Sequence, residues 1–147
     1  MKAVSIAMSL VLSLGLSAAS ASQPDSRFYG VWLGVETYQI APYLDHTWHA
    51  PGEAPVTKSA VIVIGDSGQT LVFGEGLLQG RVEISPSWGE NTLKFRARSR
   101  TSLRTLGKLV LSADGDTLTE TAVAHVPRAM IVRTCNISGT FHRQGKK

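Results

Sequence analysis

A single cysteine in 147 residues excludes an intrachain disulfide framework, so the fold has to be held by its core. Charge is sparse at 18% against 43% hydrophobic residues, which excludes a disordered or fibrous chain. Beyond the N-terminal segment no apolar run approaches the roughly 20 residues of a membrane-spanning helix. Nowhere do eleven or more residues keep a helical apolar period without a Gly or Pro interruption, so a helical bundle is also excluded. No repeat at a propeller or solenoid period is visible, and no Gly-x-Ser-x-Gly elbow marks an activated nucleophile. The sequence therefore names no catalytic activity, no cofactor and no metal.

What is present begins with an export signal. Lys2 opens a short positive region, residues 3–16 are almost uncharged and apolar, and Ala19-Ser20-Ala21 supplies the small residues of a cleavage site. The expectation is a signal peptide over 1–21, a mature domain over 22–147 with no transmembrane span, and a periplasmic or secreted location. The formal net charge of +4 is mildly basic, and the tail over 143–147 adds to it.

Short runs of β-branched and aromatic residues recur between turn residues. They predict strands over 29–38, 58–64, 70–73, 80–85, 92–99, 108–112, 117–124, 129–134 and 139–143, with a weak helical turn over 99–106. Gly65-Asp66-Ser67-Gly68, Gly89-Glu90-Asn91 and Asp114-Gly115-Asp116 carry the residues that tight hairpins need. Residues 40–56 hold Pro42, Pro51, Gly52 and Pro55, which exclude helix and central strand and leave a long loop able to cover one end. A small domain of many antiparallel strands protects its edges best by closing. The reading is all-β, a single up-and-down barrel or barrel-like sandwich.

Tyr29-Gly30-Val31-Trp32 resembles the Gly-x-Trp that opens the lipocalin-like (calycin-type) barrels. That resemblance implies a Trp at the closed end of the barrel with an Arg from the last strands packed across its ring. Arg133 and Arg143 are the candidates, and parity with Ile131 favours Arg133. The sequence also looks like small secreted bacterial β-barrel proteins, with Asp114-Gly115-Asp116 as a hairpin.

Candidate binding residues fall in two groups. Tyr38, Tyr43, Trp48 and Trp88 could line the mouth of a barrel for a small apolar or amphipathic ligand. Glu120 joins them because it shares parity with Leu118 and Ala122, which aims it at the apolar side; either it meets an interior Arg or it sits at a rim, and the rim is favoured. The second group is Lys94, Arg96, Arg98 and Arg100, which period two places on one strand face without an acid, extended by Arg104 and Lys108. Such a stripe would attract an anionic envelope component or an acidic protein, or it is a solvated face that blocks edge pairing. The sequence argues against nucleic acid, because Phe95 alone could stack a base.

Asp45-His46-Thr47-Trp48-His49 is the densest set of metal-ligand types, yet a zinc site would need His125 or His142 from afar, and a polar loop is the better reading. Cys135 reads as a small core residue beside Ile131 and Ile137. The leading expectation is a non-enzymatic, exported binding protein for a small apolar ligand. The competing one is an envelope interaction or inhibitor protein working through the basic face.

Overall fold

Period-two alternation becomes strand almost wherever the sequence holds it. The structure is a computed structural model that describes residues 25–65, 70–73, 80–83, 87–97 and 104–145, with 70–73, 80–83 and 87–88 described by backbone alone. The expected signal peptide, Arg98, Arg100 and the Trp88 side chain lie outside the described residues. After a 3₁₀ turn at Ser26–Phe28 come β1 (Gly30–Ile40), β2 (Tyr43–Leu44), β3 (His49–Ala50), β4 (Val56–Ile64), β5 (Thr70–Phe73) and β6 (Gly80–Glu83). The chain continues through β7 (Ser87–Trp88), β8 (Thr92–Ala97), β9 (Arg104–Leu111), β10 (Thr117–Arg128) and β11 (Ile131–Arg143). No helix among the described residues is long and apolar enough to cross a membrane.

Nine strands form one antiparallel sheet in the order β6-β5-β4-β1-β11-β10-β9-β8-β7, and β2 with β3 makes a separate small hairpin. The first and last long strands are thus neighbours. Every other step in the order joins strands that follow one another along that sheet, so the order is a meander wrapped into a ring and cut between β6 and β7. Among the described residues those two strands are not paired, and the sheet is a barrel-like wrap with an open seam rather than a closed barrel.

Two expectations are corrected. The strands expected over 129–134 and 139–143 are one strand, β11, because the buried Cys135, Ile137, Gly139 and Phe141 continue one alternation through the Asn and Ser residues between them. The turn-like Gly139 sits mid-strand for a packing reason: a Cβ there would lie 2.7 Å from the Phe141 ring. Residues 104–106, read as part of a helical turn, open β9. Buried Thr105 alternates with exposed Arg104 and Leu106, and pairing with both β8 and β10 outweighs any local helical tendency.

Among the described residues the inner face carries one continuous core. Phe28, Trp32 and Phe141 occupy one end, Phe95 lies over Gly107, and Leu93, Leu109, Leu118, Ala122 and Ala124 complete the core with at most 3% exposure. Glycines make room for the large rings. A Cβ on Gly107 would come within 2.4 Å of Phe95, and one on Gly34 within 2.7 Å of the Phe141 backbone.

Candidate functional site

Three places gather functional chemistry: the Trp32 end, the inner face at mid-height, and the outer face of β8–β10. At the first, Trp32 is fully buried and donates its indole N–H to the Phe28 carbonyl at 2.9 Å. Register places it directly opposite Arg143, whose guanidinium lies 4.3 Å from the ring centroid. The same guanidinium donates to the carbonyls of Tyr29 at 2.6 Å, of Arg27, and of Gly115 at 3.3 Å. Gly30 has φ +131°, and a Cβ there would sit 3.3 Å from the Arg143 guanidinium, so the glycine before the Trp serves both backbone and neighbour. The arginine across the ring is therefore Arg143 and not Arg133.

Arg133 belongs to the opposite end because it pairs with Val126 near the β10–β11 turn. There it is 7% exposed and donates to the Ala41 and Pro51 carbonyls at 2.6 and 2.5 Å, which fastens the long loop onto the sheet. Glu53 of that loop lies 3.3 Å from Arg128 and 3.6 Å from Arg133.

At mid-height the inner face carries two acids. Glu36 on β1 and Glu120 on β10 both stand opposite Gly139 on the strand between them, and the missing side chain lets the two carboxyls interact across it. Both are essentially unexposed. Burial first, then the charge of Glu36 and a hydrogen bond to it, hold the Glu120 carboxyl well above the ordinary range. Glu120 is thus neither at a rim nor beside an arginine; its partner is a second acid. Tyr38, one residue pair further along β1, has a buried hydroxyl with no hydrogen-bond partner among the described residues. Burial and the nearby acids push its phenol pKa up.

On the outer face the register sets Lys94 directly opposite Lys108, with Thr121 next in the row, and Arg96 opposite Leu106, with Val123 next. Between these rows the backbone of Phe95, Gly107 and Ala122 floors a groove of about 430 Å³. Its walls are cationic and apolar and contain no acid. Arg104, also exposed, lies further along the same face of β9.

No family model matches the chain, and no curated protein does. Two solved structures resemble it. The S-type phycobiliprotein lyase CPES from Guillardia theta is 11% identical with TM-score 0.42, over 83% of this chain and 91% of that one. Rv2717c from M. tuberculosis is 11% identical with TM-score 0.44, over 82% of this chain and 94% of that one. Neither likeness carries a function to this chain.

The expected mouth residues do not converge. Tyr38 and Glu120 share the inner face, whereas the Tyr43 and Trp48 rings meet at a tilt of 52°, 6.0 Å apart, on the β2–β3 hairpin, where Trp48 remains 47% exposed. Trp88 is placed by its backbone alone, opposite Leu93. Asp45 is engaged by its own loop: it accepts from the Thr47 and Trp48 amides at 2.7 and 2.6 Å, from the Thr47 hydroxyl, and from the Tyr43 hydroxyl at 2.8 Å. Those bonds lower its pKa to about 2. A carboxylate so occupied organises a turn instead of offering itself to a cation. Glu36 is the residue that sequence reading missed. The alternation Trp32, Gly34, Glu36, Tyr38, Ile40 points it inward by the same parity that flagged Glu120.

Proposed function

We propose that this protein is an exported, non-enzymatic binding protein whose working surface is the basic groove on the outer face of β8–β10, and that it holds a phosphate- or sulfate-bearing envelope polymer or an acidic protein segment there. The observation that carries this reading is the cross-strand pair Lys94–Lys108 within the groove. Like charges directly opposite one another in a sheet are destabilising, so the fold alone gives no reason for the pair. Edge protection does not account for it either, since Lys94 is flanked by Ser87 of β7 and Lys108 lies on an inner strand of the sheet. An anion bridging the two ammonium groups turns the repulsion into attraction.

The test is retention on dextran sulfate as a function of salt. The native chain should elute with a steep salt dependence, and Lys94→Thr/Lys108→Thr should elute at markedly lower salt while folding at least as stably. Equal retention of the two would refute the reading.

A second reading, the small amphipathic ligand inside the sheet, is favoured by one observation: the Tyr38 hydroxyl is buried with no hydrogen-bond partner among the described residues, where a polar guest could satisfy it. It ranks behind the first because Tyr38 itself packs against the buried core of the described residues. Native mass spectrometry of protein from its own host, against a Tyr38→Phe variant, decides it through a retained small molecule that the variant loses.

A further inference from the structure

The chemistry of the groove continues along the outer face of the sheet. Register aligns Lys94 of β8, Lys108 of β9, Thr121 of β10, Ser138 of β11, Thr37 of β1 and Thr57 of β4 in one row that crosses six strands. All six stand on the solvent side of the alternation, and the Thr37 and Thr57 hydroxyls share a hydrogen bond of 2.8 Å. At about 4.8 Å between strands the row is roughly 24 Å long, beginning in two ammonium groups and continuing in four hydroxyls. Among the described residues the outward positions of these six strands hold no acid, while Arg96 and Arg104 add two further cations. Strand propensity disfavours Glu and Lys about alike, so it does not explain a face with four cations and no acid.

We infer that the polymer held in the groove is an acidic polysaccharide that lies across the strands, its acid groups on Lys94 and Lys108 and its sugar hydroxyls on Thr121, Ser138, Thr37 and Thr57. The inference rests on the groove reading and narrows it. A hydroxyl both donates and accepts, so a row of hydroxyls matches those of a sugar chain, and the strand spacing is close to the length of one pyranose ring. Thr121 joins the two parts: it lines the groove with Lys94 and Lys108, and it stands opposite Ser138 where the row leaves the groove. An acidic protein segment supplies anions for the lysines but leaves the hydroxyl row without a counterpart. A second copy of this chain fits worse, since its identical face would set four cations against four with no acid between them.

The experiment measures binding of the full chain, at one fixed salt concentration, to three polyanions: lightly sulfated dextran, which carries sulfates and sugar hydroxyls; polyvinyl sulfate, which carries sulfates alone; and polyglutamate. Thr121→Val/Ser138→Ala should weaken binding to sulfated dextran roughly ten-fold, the effect of two ordinary hydrogen bonds, and leave polyvinyl sulfate unchanged. Thr37→Val, further along the row, should act in the same direction, and Thr121→Ser, which keeps the hydroxyl, should bind like the native chain. These variants change outward side chains, and their urea midpoints should match the native one. No loss on sulfated dextran, equal loss on both sulfated polymers, or tighter binding to polyglutamate than to sulfated dextran would each overturn the inference while leaving the groove reading intact. Lys94→Gln/Lys108→Gln should weaken both sulfated polymers. If that variant binds both as the native chain does, the groove reading falls and this inference falls with it.

Discussion

Arg143 stands opposite Trp32 across the β1–β11 pairing, 4.3 Å above its ring, and its guanidinium also gathers carbonyls from the N-terminal turn and from Gly115. One side chain therefore joins both termini of the sheet to the turn between β9 and β10. Removing the indole should cost the most: Trp32→Ala is expected to destabilise by about 3–5 kcal/mol. Arg143→Lys keeps the charge but loses the planar fork, and is expected to cost about 1–2 kcal/mol. Urea unfolding of both variants checks the order, and a silent Arg143→Lys would show that the stacking is incidental.

Arg133 does for the long loop what Arg143 does for the N-terminus. Its two carbonyl bonds are nearly buried, so Arg133→Gln should release the loop and cost about 1.5–3 kcal/mol, whereas Glu53→Ala, at a partly exposed ion pair, should cost under about 1 kcal/mol. Limited proteolysis within residues 41–55 should accelerate in the first variant and barely in the second. Equal rates would mean that Pro42, Pro51 and Pro55 hold the loop unaided.

Glycine substitutions should separate by what the new methyl meets. Gly34→Ala drives a Cβ into the Thr140 carbonyl and the Phe141 backbone, which cannot yield, so a loss of about 3 kcal/mol or more is expected. Gly115→Ala meets nothing but keeps φ +78°, and about 1–2 kcal/mol is expected from the backbone alone. Thermal melts that rank the two in reverse would show the inner packing to be loose.

Much of this architecture was legible because period-two alternation depends on the chain's own pattern. The meander, the glycine of Gly30-Val31-Trp32 and the basic face of β8 follow from it directly. What was not legible required knowing which strands become neighbours. Arg133 and Arg143 have the same inward parity, and only the register, which slides Trp32 against Arg143, decides between them. The inward direction of Glu120 was visible as well, but its partner lies two strands away, joined through a glycine whose importance is its missing side chain. Lys108 likewise acquires meaning only once β8 and β9 are paired so that it faces Lys94.

The Glu36–Glu120 pair should write itself into the pH dependence of stability. Glu120 holds its proton well above the ordinary value of 4.5, so the folded state binds a proton that the unfolded chain has already released. Stability from this site is fully present below the unfolded carboxyl's pKa, declines as pH rises through the window up to the raised folded value, and is level beyond it. Lys58 stands opposite Glu36 in register, yet it is exposed. Glu120→Gln keeps a hydrogen-bonding side chain and removes the titration. It should match the native chain at acidic pH and become progressively the more stable of the two toward neutral and mildly alkaline pH. Glu36→Gln should act in the same direction, and the double variant should gain less than the sum, since either change alone already prevents two charges from sharing the site. Chemical denaturation across that range, native against variants, provides the measurement. Parallel stability curves would show that the two carboxyls do not titrate as a buried pair.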